Sequence, residues 1–407
     1  MKRTVLRILT LIFGKKHLHY LISTLLRVLH HQKEKIKLND KVLSLENFSV
    51  DGYDCFFGYY DLSSINEKKD KLLSIAVDKS KEGKVGFFNI LTKEFNQIAT
   101  TNAWNWQMGS RLRWFEDDRS VLFNDYIDGQ FVSRVCELDG TEVKRFDYPL
   151  FDIDHSKSYG YYTDFSILDY LRNGYGYSNK NINFKQYYNT NNNGLFQVNL
   201  STGKSTLLIS VDDIVNHKSN ETMESCYHYF NHISVNPYSG VIMFFHIWTD
   251  YKLSDWKCRM VLVKNDGELI NIIGDFDKVS HYTWKNETEI LATVVSKGKV
   301  EYRLYNINKI NPIHINERLN TDGHPTYIDN DTFITDTYPN KFSMQKLLWC
   351  NEKDLTDQLL EIYHQPKKIN ALRCDLHPRY KDGLVNFDSN VHGRRSQFLI
   401  TIDKNNN

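Results

Sequence analysis

Four histidines stand at the heads of successive apolar, strand-like segments: His232, His281, His324 and His377, at intervals of roughly 40–60 residues. Neutral imidazole ligates Mn, Fe or Zn. It also titrates near neutrality, which suits a general acid or base. One such histidine is ordinarily a hydrogen-bonded structural residue, but four at equivalent repeat positions can be brought together. The reading is a metal set of His232, His281, His324 and His377, with His324 and His377 also serving in catalysis. The densest polar run, Arg373 to Arg379, alternates so that Arg373, Asp375, His377 and Arg379 share one face of an extended segment. Arginine's planar fork grips carboxylates bidentately. Arg373 and Arg379 are therefore candidates for binding an acidic sugar, and the same geometry would equally staple blades together. Asp388 and Arg395 read as such staples. Upstream, Tyr59 and Gln107 are candidate substrate contacts, and Tyr60 (or Tyr59) a candidate proton donor.

These positions need a fold that delivers repeats to a common axis. Gly323-His324-Pro325 leads through a turn and an apolar strand to Asp336, and Leu376-His377-Pro378 leads likewise to Asp388. A looser copy runs from His232 through Asn236-Pro237. Recurrence of one strand–turn–strand unit at this period predicts a β-propeller, whose strand starts line a central funnel. Seven strand clusters begin near Phe56, Trp104, Phe151, His228, His281, His324 and Arg373, so the expected fold is all-β, a single seven-bladed propeller over residues 41–407. Aromatics at 14% and only 7 Pro agree with strands. Leu43–Phe48 is a strand with no partner nearby in sequence. It is expected to complete the last blade beside Phe398–Ile402 and so remove an exposed edge.

Residues 1–33 carry Lys2, Arg3, Arg7, Lys15, Lys16, Arg27 and Lys33 and no acid. Their apolar runs are broken by charge and shorter than the ~20 residues of a spanning helix. The expectation for 1–40 is a basic amphipathic helical arm and linker. It would lie on an anionic membrane surface, placing the protein in the cytoplasm, peripheral to the inner membrane. Packing of the arm on the propeller, or a signal-anchor to the cell envelope, are the alternatives. Six scattered cysteines without a Cys-x-x-Cys pair read as reduced thiols. A net charge of +1 gives no footprint for nucleic acid. No nucleophile elbow, phosphate loop, dinucleotide fingerprint or zincin helix is present.

Several motifs together resemble a known group. Phe57-Gly58-Tyr59-Tyr60-Asp61, Trp106-Gln107, Gly174-Tyr175-Gly176-Tyr177, Gly323-His324-Pro325, Thr335-Asp336-Thr337-Tyr338-Pro339 and Arg373–Arg379 are similar to those of TolB-type propellers, and of bacterial propellers related to oligogalacturonate lyases. The resemblance spans about residues 50–402. It implies a seven-bladed propeller that holds a divalent metal, usually Mn, through His and Gln, and cleaves acidic sugars by β-elimination with a His base. Two departures stand out: the family's His-x-His metal pair is absent, and no secretory signal is read in residues 1–33. The expected function is action on an acidic or cell-surface polysaccharide or oligosaccharide, as a metal-assisted lyase of cell-envelope glycan metabolism. The alternative is a non-catalytic glycan-binding or scaffold propeller docked at the membrane.

Overall fold

The computed structural model describes residues 35–403 except 81, 317, 341, 354 and 365–371. The basic arm at 1–33 lies outside the described residues. Among those described, no helix is long and apolar enough to cross a membrane.

Apolar runs such as Leu72-Leu73-Ser74-Ile75-Ala76-Val77 are buried along their whole length. A strand covered on both faces needs no alternation, and stacking one sheet on the next covers both faces. Seven antiparallel sheets do this, six of four strands and one of five, forming a seven-bladed β-propeller. Most blades are simple meanders in chain order. Their first strands lie side by side: Lys278–Trp284 against Thr326–Tyr327, and the latter against Arg379–Lys381. Hairpins close with the residues their geometry demands. Asp382 and Gly383 form a two-residue loop with φ of 45° and 88°, the left-handed pair that a twisted hairpin requires.

The last blade is completed by the N-terminal strand Val42–Phe48, which pairs with Ser396–Ile402 from Val42↔Ile402 to Phe48↔Gln397. Ile36–Leu38, inside the stretch that composition reads as linker, is also a strand. It adds to the sixth blade through Ile36↔Ile362. The chain's beginning therefore clasps two neighbouring blades. The third blade carries the main insertion, opened by a helix at Phe165–Leu171. Asp164 caps it by accepting from the N–H groups of Ser166 and Ile167. The six cysteines form no disulfide.

Phe48 anchors the clasp. It is fully buried, with its ring 5.7 Å from that of Phe88 in the first blade. Phe48→Ala is expected to cost about 3–5 kcal/mol, measured as a lower denaturant midpoint; an unchanged midpoint would show that the clasp adds nothing to closure.

Candidate metal centre

The two look-alike repeats meet at one carboxylate. Gly323 lies so close to Asp336 that an added Cβ would sit 2.0 Å from the Asp336 carbonyl oxygen, so only glycine fits. The neighbouring His324 then bonds Asp336 twice. Its backbone N–H donates to Oδ1 at 2.8 Å, and its ring Nδ1 lies 2.8 and 2.9 Å from the two carboxylate oxygens. The backbone N–H of His377 donates to Oδ2 at 3.1 Å. His377 sits at φ 49°, a conformation that side chains rarely adopt.

These contacts set the tautomers. A carboxylate or a carbonyl only accepts, so the ring nitrogen facing it must carry the proton. His324 Nδ1 faces Asp336, His281 Nδ1 faces Asp322 Oδ1 at 2.9 Å, and His377 Nδ1 faces the Gly58 carbonyl at 2.9 Å. Each ring is left with a lone pair on Nε2. That of His377 is fully buried and has no hydrogen-bond partner. Ring centroids are 4.0 Å apart for His281 and His324 and 4.3 Å for His324 and His377.

Among the described residues, three donors lie within 4.8 Å of one another: His324, Asp375 and His377. Two imidazoles and a carboxylate suit a first-row divalent ion, and the unpartnered His377 Nε2 is a donor without a protein acceptor role to fill. The protonation states agree. Burial, and then the neighbouring His324, push the His377 imidazole well below its ordinary pKa. Burial alone would raise Asp375, but Arg373 and the nearby imidazoles outweigh it and hold the carboxyl below its usual range. A neutral His377 ring beside an ionised Asp375 carboxylate suits metal ligation.

His232 and His281 stand outside the three-donor group, and Asp375 takes the place next to His377. Arg379 is 2% exposed, with Nε on Asn386, Nη1 on the Gly58 carbonyl and Nη2 3.1 Å from Asp388 in an ion pair that makes no hydrogen bond. Its charge is paired with Asp388, as in a staple. The Tyr60 hydroxyl donates to the Tyr282 carbonyl at 2.6 Å and accepts from the Tyr282 N–H at 2.8 Å, so it has no proton to give. Of the adjacent pair, Tyr59 has the hydroxyl without a partner. Its ring lies 5.0 to 6.4 Å from those of His232, His281, His324 and His377, so all four histidines gather around it. Gln107 donates to the Arg373 carbonyl at 2.8 Å and keeps a buried, unpartnered Oε1. Arg373 lies over Tyr338, one-third exposed, and grips Asp375. Asp375 was visible in the alternation of 373–379 as a face-sharing residue, whereas Asp322 had no sequence signal.

A further buried imidazole, His364, makes the pH dependence of folding testable. Burial lowers its pKa from 6.5 to about 4, opposed by its bond to the Cys374 carbonyl. The folded state thus resists a proton that the unfolded chain accepts. Its contribution is complete above pH 6.5 and is lost as pH falls toward 4, at about 1.4 kcal/mol per unit. The melting temperature is expected to drop between pH 6.5 and 5, and His364→Gln to flatten that slope. Equal slopes in both proteins would assign the effect elsewhere.

No protein-family model matches the sequence, and no curated protein matches it significantly. TolB from Acinetobacter baumannii aligns loosely, with TM-score 0.39 and 10% identity over 69% of this chain and 59% of that one. Two solved structures align over nearly the whole propeller. An oligogalacturonate lyase in complex with manganese gives TM-score 0.60 at 13% identity, covering 91% of this chain and 98% of that chain. The oligogalacturonate lyase from Vibrio parahaemolyticus gives 0.60 at 12% identity, covering 92% and 100%. At these identities the likeness is one of fold: the chain is a seven-bladed β-propeller of the shape those lyases share.

Proposed function

We propose that the funnel is a divalent-metal-assisted site that cleaves an acidic oligosaccharide by β-elimination. The observation that carries this reading is the three-donor group His324, Asp375 and His377, with each imidazole proton tied off on Nδ1. A non-catalytic scaffold would need its histidines only as single bonds to blade backbone, and would have no use for a carboxylate held among them. The manganese in a lyase structure of similar fold is a second support.

Elimination removes the proton α to the sugar's carboxylate, forms the carbon–carbon double bond and expels the glycosidic oxygen. The chain has a group for each transfer. His281 can take the proton on Nε2, since Asp322 holds Nδ1–H and would steady the imidazolium that forms. Tyr59, with its unpartnered hydroxyl, can protonate the leaving oxygen. A divalent ion held by His324, Asp375 and His377 would supply Lewis acidity against the charge that develops on the substrate carboxylate.

Calorimetric titration of metal-free protein with Mn²⁺ should find one site, lost in Asp375→Ala and His377→Ala. Asp336→Asn, which alters the partner shared by the His324 ring and the His377 backbone N–H, is expected to weaken it by about 10–100-fold. Incubation with oligogalacturonate or other uronides should then give the ultraviolet absorbance of a conjugated unsaturated product, lost in His281→Ala. Wild-type protein that binds no divalent ion would sink this reading.

A further inference from the structure

The motif Gly174-Tyr175-Gly176-Tyr177 follows the helix Phe165–Leu171 and is locked against it. A Cβ on Gly176 would lie 2.2 Å from the Phe165 carbonyl oxygen and 2.2 Å from the Asp169 nitrogen, so only glycine lets the loop lie on the helix. The Tyr177 N–H donates to the Phe165 carbonyl at 3.2 Å, and the two rings stack at 4.4 Å. The Tyr177 hydroxyl accepts from Asn124 at 3.0 Å. This rigid corner places two side chains. Tyr175 meets the His232 ring edge-on at 5.6 Å. Arg172, the residue that caps the helix, sets its guanidinium over the faces of Tyr175 at 4.7 Å and Trp256 at 4.3 Å.

Arg172 differs from four other arginines near the channel. Arg111 is neutralised by Asp61, Arg113 by Asp152, Arg373 by Asp375 and Arg379 by Asp388. Arg172 has no carboxylate partner among the described residues; the polar groups beside it are the phenols of Tyr175 and Tyr229. Its Nε is shut off from solvent and makes no hydrogen bond. Nearby stand two more unpartnered buried atoms, His232 Nδ1 and the Tyr59 hydroxyl. The charge of Arg172 is, after burial, the strongest influence holding His232 neutral. A part-buried guanidinium without a counter-ion is available to an anion, and its fork geometry fits a carboxylate.

We propose that Arg172, flanked by Tyr175 and His232, is the subsite for the carboxylate of an acidic sugar, the task that the sequence pattern assigns to Arg373 and Arg379. This rests on reading the funnel as an acidic-glycan site, but it does not need the metal or the elimination. Aromatic faces on both sides hold the guanidinium plane fixed, so a carboxylate gains two charge-assisted bonds at little ordering cost.

The test uses full-length protein kept metal-free with chelator, and D-galacturonate against its uncharged methyl ester as probes. Trp256 fluorescence is the readout, with Trp256→Phe to assign the signal. Wild type is expected to bind galacturonate at least about tenfold more tightly than the ester. Arg172→Gln, with its melting temperature checked, should bind both alike, and Arg172→Lys should keep a reduced preference. Full preference in Arg172→Gln would overturn the proposal, as would wild type showing none. If Arg172→Gln does not fold, an unreduced preference in Arg172→Lys overturns it instead. Any of these failures leaves the Mn²⁺ titration result intact, so the two readings fall separately.

Discussion

One buried carboxylate sets the geometry of the funnel. Asp336 is 1% exposed, and its charge is met by the ring N–H and backbone N–H of His324 and the backbone N–H of His377. Taking a carboxylate out of water costs several kcal/mol unless its lone pairs are filled. The two histidine segments must therefore converge on it. That requirement explains Gly323, which no side chain could replace, and the left-handed backbone of His377. Strain of that kind persists where surrounding contacts over-determine it. Here the Asp336 bond and the Gly58 carbonyl hold His377 from both sides.

Charge around the channel follows a consistent pattern. Paired arginines and aspartates join neighbouring blades: Arg111 with Asp61, Arg113 with Asp152. Within the ring they form, the imidazoles are buried. Burial is the first cause of the lowered pKa at His232, His281 and His377 alike, and each positive neighbour deepens it. His281, His324 and His377 have Nδ1 committed and only Nε2 left to offer, whereas His232 keeps an unpartnered Nδ1. The fold thus settles protonation and tautomer before any ligand arrives, which is the meaning of preorganisation at such a centre.

The fold was legible because its signals are local. Apolar runs, turn residues and the His-Pro repeat each mark a strand or its start, and the unpartnered Leu43–Phe48 needed an edge to pair with. Ile36–Leu38 escaped because a three-residue strand in a Lys-rich stretch has almost no pattern. Within the site, spacing predicts which face a residue shares but not which partner it finds. Arg373 and Arg379 occupy the same face by alternation. Yet Arg379 enters a strand paired to the one carrying Asp388, which consumes it, while Arg373 precedes the strand and stays one-third exposed. Tyr59 and Tyr60 are adjacent and chemically identical, and only the backbone of Tyr282 separates a locked hydroxyl from a free one. Arg172 carried no signal at all, since the lack of an acid partner is a property of three-dimensional neighbours.

Arg373, read from sequence as a substrate contact, instead grips Asp375, one of the three clustered donors. Its Nε lies 2.7 and 2.8 Å from the two oxygens of Asp375, and Nη2 lies 2.6 Å from Oδ2. A carboxylate offers about four lone-pair sites, so this grip leaves Asp375 able to accept a cation on its other side. Arginine bound this way fixes the carboxylate's orientation and keeps it ionised, the part that outer partners commonly play for ligands. A lysine at 373 would hold the charge but not the plane. Arg373 is committed to Asp375 and Arg379 to Asp388, and the guanidinium between Tyr175 and Trp256 is the one proposed to meet an incoming carboxylate.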